Sequence, residues 1–186
     1  MTRWIYTLQH AWQWRKQLRA IVNASSVQAT LDLTPAYLEA HQIQVLILDF
    51  DGVLAPHGEM HVLPEIALWL KHCISTLPEM SIFILSNKPN QQREAYFQLY
   101  FPSIQFVKNV KKKPYPDGLL SILEKTQIPP QHALMVDDRL LTGILAAKIA
   151  GVRGFYVTKC YHNWKKYPIR ELFFTFLRKF EKIFYK

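Results

Sequence analysis

Apolar residues gather in five short runs, at 44–49 (QVLILD), 81–85 (SIFIL), 104–107 (IQFV), 133–137 (ALMVD) and 153–158 (RGFYVT). Each is too short for a helix and rich in Ile, Val, Leu and Phe, so each predicts a strand buried on both faces. Helix-like segments at about 65–77, 90–100, 117–126 and 141–150 separate the runs, bounded by Pro, Gly, Asn or Thr. Alternating strands and helices predict an α/β fold, a three-layer doubly wound parallel sheet whose ligands lie beyond the carboxyl ends of its strands. No internal repeat or low-complexity tract interrupts the pattern.

The two ends read differently. Residues 1–22 predict a helix with Trp4, Leu8, Trp12, Trp14 and Leu18 set among basic residues. Residues 168–185 predict another, with Ile169, Leu172, Phe173, Phe176, Phe180 and Phe184 at helical spacing and Arg170, Arg178, Lys179 and Lys182 elsewhere around it. Either helix can pack on the sheet or offer an interfacial surface to anionic lipid. The expected organisation is an N-terminal helical extension (1–40), a catalytic α/β domain (41–160) and a basic, aromatic C-terminal helix (161–186).

A chain of 186 residues, 49% hydrophobic and 13% aromatic, is globular and long enough for one real core. It holds no apolar stretch long enough to span a bilayer. Arg3, Arg15, Lys16 and Arg19 near the start leave no continuous apolar core, so no secretory signal is expected. Cys73 and Cys160, isolated among apolar residues, read as buried thiols of a reducing compartment, and the expected location is intracellular and peripheral to a membrane. The formal charge of +9 is uneven: residues 159–186 carry eight basic side chains against Glu171 and Glu181. Such a tail points to anionic partners, a membrane surface first. No nucleic-acid-binding module is present, which disfavours that partner, and the histidines show no zinc-ligand spacing.

Reactive groups in such a fold belong where strands end. The first strand ends in Asp49-Phe50-Asp51-Gly52, which sends two carboxylates toward one crevice, and Gly52 permits a sharp turn and close approach. Carboxylates this close repel unless a cation or shared proton intervenes, which suits one nucleophilic and one proton-transferring acid beside a metal. The fourth strand closes with Asp137-Asp138, and oxygens from two strand ends make a hard-cation site of the Mg2+ kind. Ser86-Asn87, after the second strand, supply a hydroxyl and an amide for a phosphate at the entry to a helix. One of Lys111, Lys112 and Lys113 can offset the negative charge. His57, in the segment after Asp51, reads as an exposed loop histidine or a leaving-group contact, and Arg139 as a phosphate or headgroup contact or an ordinary salt bridge.

The runs DFDGVL, LSN, KKKPYP and VDD resemble, in order and spacing, the four signature motifs of the haloacid dehalogenase superfamily of hydrolases, across residues 44–158. The resemblance implies Asp49 as a nucleophile forming an aspartyl-phosphate and Asp51 as general acid/base, its main-chain carbonyl also touching the metal. It implies Ser86 as the phosphate-binding hydroxyl, Lys113 as the charge-balancing lysine, and Asp138, or Asp137, as the metal-binding acid. The run 31–54 (LDLTPAYLEAHQIQVLILDFDGVL) and Leu140-Leu141-Thr142 resemble the phosphatidylglycerophosphate phosphatase branch of that superfamily. That branch has Gly-Asp-Gln and then Thr-Asp where this chain has Asp137-Asp138-Arg139 and Thr142-Gly143. The missing acid at Gly143 implies weaker metal binding unless Asp137 substitutes.

The intervals between motifs are too short for a cap domain, so the site is expected to be open and to take large substrates. The leading expectation is a Mg2+-dependent phosphomonoesterase acting on a phospholipid phosphate at a membrane surface. A phosphoprotein phosphatase, and a catalytically weak lipid- or protein-binding module, are the alternatives.

Overall fold

The computed structural model describes residues 2–24, 28–88 and 90–185. Met1 and Lys186, the first residue of the predicted N-terminal helix and the last of the basic tail, lie outside them. The chain runs through helices α1 (Arg3–Gln13), α2 (Arg15–Ala24) and α3 (Pro35–Ala40), then strand β1 (Val45–Leu48), α4 (Pro64–Thr76) and β2 (Ser81–Ile84). Next come α5 (Gln91–Tyr100), β3 (Gln105–Phe106), α6 (Asp117–Thr126), β4 (Ala133–Asp137), α7 (Leu145–Ala150), β5 (Arg153–Tyr156) and α8 (Pro168–Ile183). The five strands pair in the order β3-β2-β1-β4-β5, all parallel, with the two most apolar strands, β1 and β4, side by side. This is the predicted doubly wound α/β fold.

Alternation along the strands divides the core between the sheet's two faces. Leu46, Leu48, Ile84 and Val136 face Leu38 of α3, Ile66 and Leu70 of α4 and Phe97 of α5. Val45, Ile47, Phe83 and Met135 face Leu119 and Ile122 of α6 and Ala146 and Ala147 of α7. Local signals start and stop the helices: Thr34 accepts from Tyr37 N and Asn90 from Gln92 N, while Gly151, at φ 74°, ends α7.

Four elements depart from expectation, the first being the run at 104–107, which forms only the two-residue edge strand β3 with Gln105 exposed. The single helix at 1–22 is two helices, broken at Trp14, where Thr7, Ala11 and Leu18 face inward and Trp4, Leu8 and Trp12 stay exposed. The helix at 141–150 opens with a π-helical turn, Leu140–Ile144, before α7. The largest departure is in α8, whose apolar stripe, Ile169, Leu172, Phe173, Phe176, Phe180 and Phe184, is exposed. Its inward side carries Glu171, Arg178, Glu181 and, just beyond the helix, Tyr185. Arg178, grouped in the sequence with Arg170, Lys179 and Lys182 as a basic residue of this helix, is buried.

Position in the sheet sets the cost of a truncation. Leu46→Ala, on fully buried β1, is expected to lower unfolding free energy by about 2–5 kcal/mol. Leu172→Ala, on exposed α8, should change it by less than about 0.5 kcal/mol. Denaturant midpoints measure both, and equal losses would contradict the assignment of the core.

Candidate active site

Asp49 directly follows β1, and its N–H donates to Val136 O of β4 at 3.0 Å, which places its side chain at the carboxyl edge of the sheet's centre. Asp137 is the last residue of β4 and Asp138 follows it. One oxygen from each of Asp49, Asp137 and Asp138 lies within 4.8 Å of the others. Lys113 Nζ reaches between them, 3.0 Å from Asp49 Oδ1 and 2.6 Å from Asp137 Oδ2. Three convergent carboxylates are an all-oxygen donor set of the kind that hard divalent cations take, so the residues fit a divalent metal.

Burial sets the electrostatics here. It pushes Asp49 up to about 7 against the lowering influence of Lys113, and Asp138 up to about 6 against that of Arg178. Asp137 is raised for the same reason. Burial also works against the charge on Lys113, but the attraction of Asp137 and Asp49 outweighs it and keeps the ammonium protonated.

Asp51 is handled differently. After Phe50 the chain turns at Gly52, φ 82°, where any side chain would fall on the Asp138 carboxylate. Asp51 accepts two bonds from Arg93 of α5, Nη2 to Oδ1 at 2.7 Å and Nη1 to Oδ2 at 3.1 Å, and a third from Gly58 N at 3.1 Å. Burial alone would raise this carboxyl, but the hydrogen bonds and charge of Arg93 hold it below the ordinary range. Nothing in the sequence marks Arg93 out, and its pairing with Asp51 was missed there.

Ser86 and Asn87 lie in the loop after β2, and the helix they were expected to open begins at Gln91. Ser86 Oγ accepts from Lys88 N at 3.2 Å. Asn87 clamps the Lys113 backbone, its Oδ1 accepting from Lys113 N at 2.7 Å and its Nδ2 donating to Lys113 O at 3.3 Å. Its amide therefore fixes the lysine, a role the sequence did not suggest. Arg139 forms the salt bridge expected as the simpler alternative, its Nε 2.8 Å from Glu181 Oε1 of α8.

Helix α8 contributes more than sequence reasoning foresaw. Arg178 Nη1 lies 2.5 Å from Asp138 Oδ2. Glu181 also accepts from the backbone N–H of Leu140 at 2.9 Å, and Glu171 from that of Asn163 at 3.1 Å. His57 is buried, 4% exposed, not the solvent-facing loop residue expected as one alternative. Its ring stacks on Phe174 at 3.9 Å, and burial drives it down to about 4 despite nearby Asp51 and Glu171, so the imidazole is neutral.

Gly143 has a steric explanation. A side chain there would overlap the carboxylate of Asp137, which also accepts from Arg139 N at 2.9 Å. Asp137 thus occupies the space that an acid at 143 would need.

Asp49, Asp51, Ser86, Asn87, Lys113, Asp138 and Arg139 line one small cavity of about 80 Å3, roughly the room of two or three waters, the scale of a phosphoryl group. A larger cavity of about 1020 Å3 opens at the opposite edge of the sheet, beside Gln44, Ser81 and His132, and contains none of the candidate residues.

Comparison with known proteins gives a family and a fold. A family model described as mitochondrial PGP phosphatase matches residues 15–161. No curated protein matches the chain. Among solved structures, an uncharacterized protein from Listeria monocytogenes serotype 4b is similar, with TM-score 0.51, 16% identity and coverage of 67% of this chain and 84% of that one. A predicted phosphoglycolate phosphatase from Haemophilus somnus 129pt has TM-score 0.51 and 14% identity, covering 65% of this chain and 88% of that one. At these identities the two structures speak for the fold alone.

The raised aspartates give a pH signature. An unfolded aspartate titrates near about 3.9, so a folded-state value of about 6 to 7 contributes stability that is complete below the unfolded value and lost as pH rises through 6 to 7. A divalent cation binds the deprotonated oxygens and should offset that loss. Thermal melts in chelator and in Mg2+ are expected to show a larger metal-induced rise in Tm at pH 8 than at pH 5. An equal rise at both would exclude the aspartate trio as the binding site.

Proposed function

Because the chain belongs to the mitochondrial PGP phosphatase family, and is a phosphatase of the haloacid dehalogenase type, we propose that it hydrolyses a phosphomonoester on a phospholipid of the phosphatidylglycerophosphate kind at a membrane surface. The observation that carries this is the position of Asp49, at a strand end within 3.0 Å of Lys113 Nζ, facing a cavity of phosphoryl size beside Asp51 and Ser86. A carboxylate oxygen of Asp49 attacks phosphorus, the P–O bond to the alcohol breaks, and an aspartyl-phosphate forms. Water then attacks the phosphorus of that intermediate, releasing phosphate and restoring Asp49. Asp51 in its protonated form supplies a proton to the leaving alkoxide and then, as the carboxylate, takes one from the water. Its pairing with Arg93 favours the carboxylate, the form that accepts the water's proton. Lys113 and Ser86 bind the phosphoryl oxygens.

Asp49, Asp137 and Asp138, with the main-chain carbonyl of Asp51, would hold the metal, Mg2+ in this proposal. When bound, it neutralises charge between the nucleophile and the phosphoryl group.

Two features support a lipid substrate. The links from β1 to β2 and from β2 to β3 each hold one helix, α4 and α5, which favours a site accessible to a large molecule. The exposed apolar faces of α1 and α8 also meet, with Leu8, Trp12 and Phe184 lining one hollow together with Arg15, Lys16 and Arg19. Aromatic and aliphatic groups rimmed by basic ones suit an anionic bilayer. None of the helices described is long and apolar enough to cross one.

Asp49→Asn should reduce phosphate release by roughly 10^4-fold or more while leaving the fold intact. Wild type and variant are compared on a panel of lipid, peptide and nucleotide monoesters and an aryl phosphate. Turnover retained by the variant would remove Asp49 as nucleophile, and a wild-type preference for phosphopeptide would replace the lipid by a protein substrate.

The protein should also co-sediment with anionic vesicles at low salt and be released as salt rises. Reversing the exposed charges Arg15, Lys16 and Lys179 to Glu should abolish binding, each basic residue contributing about 1 kcal/mol. Wild type remaining in the supernatant at low salt would exclude membrane docking.

A further inference from the structure

A second cavity, of about 360 Å3, lies beside the phosphoryl-sized one and shares Asp51, His57 and Lys88 with it. Its character is cationic. Asp51 is matched by Arg93 inside the same wall, and His57 is held neutral by burial. That leaves Lys88 and Arg170, which have no ion-pair partner among the described residues. Lys88 Nζ lies 5.3 Å from the centre of the Phe174 ring, on the boundary between the two cavities.

Arg170 is placed with care. Its guanidinium lies 4.8 Å from the centre of the Tyr167 ring and against the α-carbon of Gly58, where any side chain would overlap Nη1. Gly58, at φ 92°, at the same time donates its N–H to Asp51. One glycine thus ties the arginine's seat to the wall of the phosphoryl cavity. Arg170 also stands in the first turn of α8, where the helix dipole disfavours a cation. The neighbouring Glu171 gives no relief, since it turns inward to His57, His162 and Asn163. Two positive charges left unpaired, one against its helix dipole, face a space that opens onto the nucleophile. Both side chains are exposed to solvent along that space, so an anion of the substrate can reach and pair with them.

We propose that Lys88 and Arg170 form a second anion subsite, which holds a phosphodiester attached through a short bridge to the monoester at Asp49. This rests on the phosphatase function proposed above and assigns to Lys88 and Arg170 the grip on the second phosphorus centre of such a substrate. A glycerol-bridged phospholipid headgroup has that form. Ile169, next to Arg170 and 83% exposed, opens the apolar face of α8, along which the acyl chains would leave. The diester therefore sits between the reacting phosphate and the lipid tails, the order in which the cavity, Arg170 and the apolar stripe occur.

The test uses the full chain carrying Asp49→Asn, so that ligands bind without turnover, and compares three ligands by calorimetry. These are glycerol 3-phosphate, the deacylated headgroup glycerophosphoglycerol phosphate, and the diacyl lipid in mixed micelles. The deacylated headgroup should bind about tenfold more tightly than glycerol 3-phosphate, the scale of one charge-assisted contact. Adding Arg170→Gln should erase most of that gap, and Arg170→Lys should keep part of it. Equal affinities for the first two ligands, or a gap that survives Arg170→Gln, would overturn the subsite. A gap that appears only with the diacyl lipid would also overturn it, by assigning selectivity to the acyl chains. Failure of the wild type to release phosphate from an aryl phosphate would count against the phosphatase function and leave this binding result standing.

Discussion

Four aspartates stand at the carboxyl ends of two adjacent central strands, and their mutual repulsion is the constraint around which the molecule is arranged. Carboxylates withdrawn from water at this density protonate or push apart unless cations are fixed among them. The chain supplies one cation from each of three remote segments: Lys113 from the loop after β3, Arg93 from α5 and Arg178 from α8. Each acid consequently has its own character. Asp51 is stabilised as a carboxylate by a two-pronged arginine, whereas Asp49 and Asp138 are held high by burial. The loops and helices delivering the cations are pinned to the sheet by the same contacts, so the charge balance of the site also fixes the tertiary structure around it.

The fold was legible because strand burial follows directly from short apolar runs, and the order of the four motifs located Asp49, Asp51, Ser86, Lys113 and Asp138 around one cavity. Arg93 was invisible because one arginine on a polar helix carries no local signal, and its meaning depends on a partner 42 residues away. His57 was ambiguous for a related reason. A loop histidine looks exposed until a distant aromatic, Phe174, is known to cover it.

Helix α8 inverts the usual rule of amphipathic packing. Its periodicity is real, but the face that packs is the charged one, because Asp138, Arg139 and the free amides of the π-helical turn offer charge and hydrogen bonds instead of apolar surface. The aromatic stripe is left outside as a result. Hydrophobic periodicity alone indicates that a helix has two faces, and here the partner's chemistry decides which one turns inward.

The relation between Asp137 and Gly143 bears on how such sites diverge. Because the Asp137 carboxylate fills the volume above the α-carbon of Gly143, no side chain fits at 143 while Asp137 keeps its present place. A substitution introducing an acid at 143 alone would meet a steric barrier, and one removing Asp137 alone would empty the pair. An acid at 143 is therefore accommodated only where residue 137 is smaller or turned aside, so the two positions are expected to change together. Steric contact thus couples two positions that the sequence presents as separate.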